Sequence, residues 1–362
     1  MTDWTSKFSR RGAALKPSAI RQTAKYAAQP GVISFASGSP NPDLFPYDAL
    51  NAAMTGLMAD PKRRGEALQY GSSEGYKPLR ELIAERARRD GARVAADNIV
   101  ITNGSQQTLE FMAKLLVEPG DLVAVTSPTY LGAMQAFDLF QPNYADVTLN
   151  DDGVNLAALE RAFAAGARFF YLTPDFGNPS GVTLPVEQRR AILKLARKHQ
   201  TPIFEDQAYE HLWFGAEKLP SMLALDSEDG DPSLVIHAGT FSKSLAPGVR
   251  VGWIVAPKPM AEKLALMRQA SDLQGASLNQ MIVHDAAVAI LDDHIVELTE
   301  NIFAKHEFLH ALTRICRRKQ FRQITARKLR VRIDQRYPLT EAAQAHRDLE
   351  ARKTTGSSVL LP

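Results

Sequence analysis

A lysine, an arginine and several hydroxyl side chains lie close together in the second half of the chain. The segment runs Thr240-Phe241-Ser242-Lys243-Ser244, and Arg250 follows seven residues after the lysine. A phosphate needs several donors that converge from one loop, and hydroxyls with a guanidinium supply them. A lysine beside that site can form an imine with an aldehyde cofactor. Taken singly, a lysine or arginine near a loop is more typical of a solvated surface.

Polar residues follow two other predicted strands. Asp206 ends the apolar Ile203-Phe204 run, and Asn178 lies in a proline and glycine turn after Phe169 to Leu172. Ligands of open α/β sheets collect at the carboxyl ends of strands, so both side chains are placed to face one. As alternatives, Asp206 can cap a helix, and the turn that contains Asn178 needs no functional explanation.

Ser105 and Gln106 follow a strand and Gly104, and they begin a predicted helix. The N-terminus of a helix offers unpaired N–H groups and the positive end of its dipole, which together bind a phosphate. Ser105 is also a good N-cap residue. The two roles are compatible.

Alternating strands and helices from about residue 75 to residue 290 must position these side chains. This order predicts an α/β fold with a mainly parallel central sheet and helices on both faces. The predicted strands are 98–102, 121–126, 168–172, 202–204, 234–237 and 251–255, and the predicted helices include 78–90, 105–117 and 186–200. Residues 1–45, with a short helix at 18–27, are predicted to form an arm.

Composition narrows the class of protein. The 362 residues are 45% hydrophobic, which excludes disorder, collagen and coiled coil. The lone Cys316 rules out an internal disulfide, and no zinc-ligand spacing occurs, so we expect no metal. Without a signal peptide or an apolar run of membrane-spanning length, the sequence predicts a cytoplasmic protein.

Charge is distributed unevenly along the chain. The net charge is +3, but residues 301–362 alone carry 14 basic and 5 acidic side chains.

Seven motifs occur in order along the chain. They are Ser39-Pro40-Asn41-Pro42, Leu68-Gln69-Tyr70-Gly71, Asn103-Gly104-Ser105-Gln106-Gln107, Pro128-Thr129-Tyr130, Asn178-Pro179-Ser180-Gly181, Asp206-Gln207-Ala208-Tyr209, and Ser242-Lys243 with Arg250-Val251-Gly252. With these motifs, residues from about 17 to about 312 resemble fold type I aminotransferases of class I/II that use pyridoxal 5'-phosphate (PLP). The resemblance is greatest to the 2-aminoadipate and kynurenine aminotransferases.

This resemblance implies the catalytic roles. Lys243 would bind PLP through an imine, be displaced by the substrate amine and then move a proton at the substrate Cα. Asp206 would keep the pyridine nitrogen protonated. Tyr130 would stack on the ring, and Asn178 and Tyr209 would hydrogen-bond its phenolic oxygen.

The resemblance also implies the remaining binding residues and the assembly. The phosphate ligands would be Ser105, Gln106, Thr240, Ser242 and Arg250. Tyr70 would reach the phosphate of a neighbouring subunit, which implies a homodimer with shared sites. The substrate side would be formed by Gly38, Ser39 and Asn178, with Arg21 contacting an acidic substrate side chain. As an alternative, Arg21 is a solvated side chain on an exposed helix.

The C-terminal region departs from that family. We expect the large PLP-binding domain at 46–288, the start of a small domain at 289–316 and an atypical basic tail at 317–362. The arginine that clamps the substrate carboxylate is not recognisable, so the small domain is predicted to be truncated or replaced. Residues 328–362 instead resemble the strand, helix and final strand that end the zinc-independent quinone oxidoreductases.

Three functions follow as hypotheses. The first is an aminotransferase that moves an amino group from an aminoadipate, aromatic or branched amino acid to a 2-oxo acid such as 2-oxoglutarate by a ping-pong route. The second is a PLP-binding relic or fusion product with impaired turnover. The third is an aminotransferase-like regulator, but residues 1–45 are too short for a DNA-binding domain, so we expect no nucleic-acid partner. Because the sequence has no apolar run of membrane-spanning length, we expect no membrane partner either.

Overall fold

The computed structural model describes residues 2–15, 17–18, 40–211, 218–228, 230–290, 333–338 and 357–361. Its α-helices are α1 (Arg10–Ala14), α2 (Tyr47–Ala59), α3 (Pro61–Leu68), α4 (Lys77–Arg89), α5 (Ser105–Leu116), α6 (Leu131–Phe137), α7 (Leu156–Ala164), α8 (Val186–His199), α9 (Met222–Asp226), α10 (Lys258–Ser271) and α11 (Ser277–Ile290). Its strands are β1 (Ile99–Thr102), β2 (Leu122–Ser127), β3 (Asn143–Asn150), β4 (Gly153–Val154), β5 (Phe170–Leu172), β6 (Ile203–Asp206), β7 (Val235–Thr240), β8 (Gly252–Val255), β9 (Ile333–Pro338) and β10 (Ser357–Leu361).

Strands β1 to β8 form one sheet in the order β1-β8-β7-β6-β5-β2-β3-β4. The central strands β7, β6, β5, β2 and β3 run parallel, while β8 is antiparallel to both of its neighbours and β4 is antiparallel to β3. The predicted α/β fold with a mainly parallel sheet is therefore confirmed.

Side chains alternate between two hydrophobic cores, one on each face of the sheet. In β6, for example, Ile203 belongs to one core and Phe204 to the other. Helices α2, α4, α8 and α11 cover the first face, and α5, α6 and α10 cover the second. Because both faces are buried, the strands read as continuous apolar runs, which is why their positions were recognisable in the sequence.

The predicted strand and helix positions agree with the observed ones to within a few residues, but β3 and β4 were missed. Strand β3 has the sequence NYADVTLN and is largely half-buried or exposed. An apolar-run criterion does not detect such a strand near the edge of a sheet. The proposed helix at 18–27 lies, from residue 19 onward, outside the described residues.

The chain divides into two compact units, residues 1–16 with 40–305 and residues 17–39 with 306–362. In the second unit the described elements are β9 and β10, which pair in parallel. A first and a final strand are what the tail's resemblance implied, whereas the helix between them lies outside the described residues. Among those residues no helix has the length and apolarity needed to cross a membrane, and no cluster suited to a metal ion is found.

Candidate active site

The carboxyl ends of three adjacent parallel strands bring the predicted site residues to one edge of the sheet. Leu172 at the end of β5 pairs with Glu205, and Asp206 at the end of β6 pairs with Ala238 of β7. The loop after β5 carries Asn178, and the turn after β7 carries Lys243. Parallel register thus gathers groups that lie far apart in the sequence.

Asp206 is a buried carboxylate with one uncommitted oxygen. Its Oδ2 accepts a hydrogen bond from the Tyr171 hydroxyl at 2.7 Å. Its Oδ1 is buried and makes no hydrogen bond within the described part of the chain. Burial raises the pKa of Asp206 to about 6, even though the Tyr171 hydrogen bond opposes the shift. Such an oxygen is suited to accept a proton or a hydrogen bond from a bound group.

Two tyrosines and an amide lie beside this carboxylate. Asn178 Nδ2 donates to the Tyr209 hydroxyl at 3.3 Å. Burial, aided by the nearby Tyr130 and by the negative charge of Asp206, raises the pKa of Tyr209 to about 12. Burial and then the charge of Asp206 likewise raise the pKa of Tyr130. Both phenols therefore stay protonated as hydrogen-bond donors at neutral pH.

The ring of Tyr130 lies directly over a glycine backbone. A Cβ atom at Gly132 would overlap the Cζ atom of the ring, so only glycine fits below it. Gln106 Nε2 donates to the Gly132 carbonyl at 2.9 Å. The side chain of Gln106 thus anchors the start of α6, which begins directly after Tyr130.

An anion cradle forms where α5 begins. Its N-cap, Gly104, has φ +76° and no side chain to cap the free N–H groups. The Arg250 guanidinium lies against it, because a Cβ at Gly104 would overlap Nη2, and Nη2 donates to the Asn103 carbonyl at 3.0 Å. A helix N-terminus beside a guanidinium is an electropositive site for a phosphate.

A second glycine lets the strand that follows Arg250 approach this cradle. A Cβ at Gly252 would lie 2.8 Å from the Gly104 carbonyl carbon and 2.9 Å from Ser105 N. The Thr240 and Ser242 hydroxyls are 2.9 Å apart, and Ser242 N donates to Thr240 Oγ1 at 3.1 Å. The turn that carries Lys243 is therefore held by its own hydroxyls.

Lys243 is half-buried, and burial lowers the pKa of its amine. A lysine with a lowered pKa spends more time as the neutral amine, which is the form that attacks a carbonyl and accepts protons. Its position three residues after β7 places it on the loop between Thr240 and Arg250.

Other predicted residues are not part of this cluster. Tyr70 follows α3 and is 78% exposed, and within the described residues its hydroxyl makes no hydrogen bond. Arg21, Gly38 and Ser39 lie outside the described residues. Sequence reasoning missed Tyr171, which lies in an apolar run and gives no signal except its position one strand over from Asp206.

Comparisons with known proteins identify the family. The family Aminotransferase class I and II matches residues 31–324. A 2-aminoadipate transaminase of Thermus thermophilus is 36% identical over 314 residues, which cover 86% of this chain and 77% of that protein. An Aromatic-amino-acid aminotransferase 1 of Thermococcus litoralis is 35% identical over 306 residues, covering 82% and 72%.

A solved structure shares the fold at similar identity. It is LysN, an alpha-aminoadipate aminotransferase from Thermus thermophilus complexed with N-(5'-phosphopyridoxyl)-L-leucine. The TM-score is 0.77 at 35% identity, over 86% of this chain and 78% of that one. Other relatives are named as transcriptional regulators. One is an HTH-type transcriptional regulator, YdcR of Escherichia coli, 33% identical over 260 residues, which cover 71% of this chain and 54% of that protein.

The end of the chain matches a second family. A zinc-binding dehydrogenase family matches residues 298–360, overlapping the last part of the aminotransferase match. This agrees with the resemblance of the tail to quinone oxidoreductases. The aminotransferase match ends close to where the basic tail begins.

The residues present suit a phosphorylated pyridine aldehyde. The orphaned Asp206 Oδ1 suits a protonated ring nitrogen, and the anion cradle at Gly104 suits a phosphate. Lys243, with its lowered pKa, suits an aldehyde carbon. Together with the family match over most of the chain, these features lead to one assignment. The chain belongs to the class I and II aminotransferases, enzymes whose cofactor is pyridoxal phosphate.

Proposed function

We propose that the protein transfers an amino group from an amino acid of the aminoadipate, aromatic or branched type to a 2-oxo acid such as 2-oxoglutarate, by a ping-pong route. The observation that carries the proposal is the buried Asp206, whose Oδ1 has no partner among the described residues, beside two protonated tyrosines. The names of the two relatives, a 2-aminoadipate transaminase and an aromatic aminotransferase, support the substrate class.

When bound, PLP supplies a reactive carbonyl carbon and a ring that accepts the electron pair left by a departing Cα proton. In this proposal, Asp206 holds a proton on the ring nitrogen through Oδ1, while Tyr171 fixes its other oxygen. Asn178 and Tyr209 would hydrogen-bond the ring's oxygen, and Tyr130 would cover one ring face.

Lys243 moves the proton. Its Nζ is the neutral amine more often than in an exposed lysine, because burial lowers its pKa. Held beside the substrate, that Nζ would accept the proton that leaves the substrate Cα and would donate it again within the site. The hydroxyls of Thr240 and Ser242, with Arg250 and the first turn of α5 at Ser105 and Gln106, hold the phosphate and keep the ring at a fixed distance from Lys243.

Reconstitution with PLP tests the proposal. We expect visible absorbance from the lysine-bound cofactor, and after borohydride reduction a phosphopyridoxyl mass on the Lys243 peptide. Lys243→Ala should lose both signals, while Lys263→Ala, an exposed lysine on α10, should keep them. Equal signals in the two variants would contradict the assignment of Lys243.

A second candidate is a protein that binds PLP but turns over slowly. It is favoured by the dehydrogenase match at 298–360, in the region where we expected the small domain and its carboxylate-binding arginine. Loss of a bidentate arginine–carboxylate pair would lower kcat/KM by about a thousandfold. A coupled assay with 2-aminoadipate, aromatic and branched donors against 2-oxoglutarate separates the two, since ordinary turnover excludes the impaired form.

We also infer that the protein is a cytoplasmic homodimer. The support for the compartment is the lone Cys316, which is typical of a reducing environment. The support for the dimer is the exposed Tyr70 together with the exposed Met54, Met58 and Leu68 of α2 and α3. Exposed apolar side chains on adjoining helices favour a contact with a second copy.

A further inference from the structure

A group of buried charged side chains lies on the face of the sheet opposite Asp206. Alternation along β6 sends Asp206 to one face and Glu205 to the other, and Glu205 pairs in register with His237 of β7. Both side chains are almost fully buried. They belong to no part of the cofactor pocket described above.

Glu205 is held as a carboxylate by four donors. Two are the backbone N–H groups of Met222 at 2.7 Å and Leu223 at 3.2 Å. The others are Gln207 Nε2 at 3.1 Å and His237 Nδ1 at 3.0 Å. Burial would raise the pKa of Glu205, but the His237 hydrogen bond and charge, with the Met222 hydrogen bond, hold it below its ordinary value. His237 Nδ1 is therefore the proton donor in this pair.

A second anion lies on the other side of the imidazole. His237 Nε2 is 3.9 Å from Glu210 Oε2, and Glu210 Oε1 is 3.2 Å from His211 Nε2. Burial alone would lower the pKa of His237. The Glu205 hydrogen bond and the charges of Glu210 and Glu205 raise it above its ordinary value, with Lys218 opposing them.

The other charged groups around this cluster come from α4, from α8 and from the segment before α9. They are Arg86 of α4 and Asp90 just after it, Arg189 of α8, whose charge acts on Glu205, and Lys218, whose Nζ is 2.6 Å from Asp90 Oδ2. The adjoining cavity measures about 30 Å³, room for one or two waters and not for an organic ligand.

We propose that His237 is a positioning residue that keeps Asp206 anionic from the opposite face of the sheet, where it is fixed between Glu205 and Glu210. This role rests on the proposed function of Asp206 toward the cofactor. A buried imidazolium one register position away favours the carboxylate, because the low-dielectric interior screens its charge weakly. Accordingly, the charge of His237 lowers the pKa of Asp206, which burial has raised.

The pH dependence of PLP binding by the cofactor-free protein tests the role of His237. Protonated Asp206 cannot pair with a protonated ring nitrogen, so affinity falls as pH falls through the pKa of Asp206, at about 6. His237→Gln keeps a side chain that can donate to Glu205 but removes the charge. We expect the acid midpoint of binding to move up by about half a pH unit or more, with affinity at pH 8.5 within about twofold of wild type.

The controls separate charge from structure. His199→Gln removes a histidine on α8 beside Glu160, and it should leave the midpoint unchanged. Because PLP and Lys243 titrate equally in each variant, a difference between midpoints reports on Asp206. His237→Asn, which removes the same charge and keeps a shorter amide, should move the midpoint in the same direction, and it serves if His237→Gln fails to fold.

The possible results bear separately on the role of His237 and on the proposed function. Equal loss of affinity at every pH, or an unchanged midpoint in both variants while wild type binds PLP normally, would overturn the role of His237 and leave the proposed function standing. Absence of PLP binding by the wild-type protein would overturn the proposed function and the role of His237 together.

Discussion

Burial of Asp206 favours binding of a cationic partner but lowers the stability of the cofactor-free protein at neutral pH. The folded protein raises its pKa from an ordinary aspartate value to about 6, chiefly by burial. The folded state therefore binds this proton more tightly than the unfolded state does. Stability from this group is fully present below the unfolded pKa of about 4, and it is lost as pH rises through the folded value.

We expect Asp206→Asn to remove this pH dependence. Between pH 4 and pH 7.5, the free energy of unfolding of the cofactor-free wild type should fall relative to the variant by about 2–3 kcal/mol. Urea unfolding at a series of pH values measures the difference. At the same time the variant should bind PLP about a hundredfold more weakly, since an amide cannot hold the ring proton. A constant stability difference across the pH range would contradict the buried, protonatable Asp206.

Gly104 is constrained by its backbone and by its neighbour. We expect Gly104→Ala to weaken PLP binding about tenfold or more, because alanine at φ +76° is strained and its Cβ displaces the Arg250 guanidinium. Fluorescence titration of the cofactor-free protein measures the loss. Gly120→Ala is the matched control, since Gly120 has φ +92° with nothing within 4 Å of a Cβ. It should lower stability alone, and a similar loss of PLP affinity would rule out the steric explanation.

At the scale of elements, α8 anchors the turn that carries Asn178. Arg189 of α8 is fully buried and forms a close ion pair with Asp175, three residues before Asn178. It also donates to the Leu184 and Pro220 carbonyls at 2.9 Å. Gln207 Nε2 extends this network, because it donates to Asp175 Oδ2 at 2.6 Å and also to Glu205 Oε1. One buried network thus connects the loops after β5 and β6.

Adjacent arginines on α8 allow a matched comparison. Arg189→Met leaves the buried Asp175 without its cation and should lower the free energy of unfolding by about 3–5 kcal/mol. Arg190 is exposed and pairs with Glu228 at 2.5 and 2.7 Å, and Arg190→Met should cost less than about 1 kcal/mol. Denaturant unfolding of both variants checks this ranking. Equal losses would mean that burial does not decide the strength of these pairs.

At the scale of the whole molecule, a dimer with shared sites makes a specific prediction. If Tyr70 completes the partner's site, Tyr70→Ala and Lys243→Ala remove groups from different subunits of one site. Half of the dimers in an equal, reassociated mixture would combine the two variants, and each of these would hold one intact site.

Subunit mixing measures this directly. Each variant alone should be nearly inactive, while the reassociated mixture should recover about a quarter of wild-type activity per site. Mixing Lys243→Ala with Asp206→Asn is the control. It should recover no activity, because both residues act within their own subunit's site and each site of the heterodimer then carries one change. In contrast, a monomer in light scattering, or no recovery with Tyr70→Ala, would contradict the shared site.

The sequence by itself determined the class of fold and the candidates for most of the chemistry. Strands buried on both faces are largely apolar along their length, so β1, β2, β5, β6, β7 and β8 were recognisable, although β8 runs antiparallel to its neighbours. Lys243 and Asp206 were recognisable because they follow such strands. Strand β3, half-exposed and of mixed polarity, carries no such signal.

Only the tertiary structure decided how these groups act on one another. The strand order placed Tyr171 against Asp206, and alternation sent Glu205 and His237 to the opposite face. The Tyr171–Asp206 and Glu205–His237 contacts have no signature in the sequence, because the partners lie 35 and 32 residues apart along the chain. Burial and the charges brought close by the fold then set the pKa of each group, and those quantities exist only once the chain has folded.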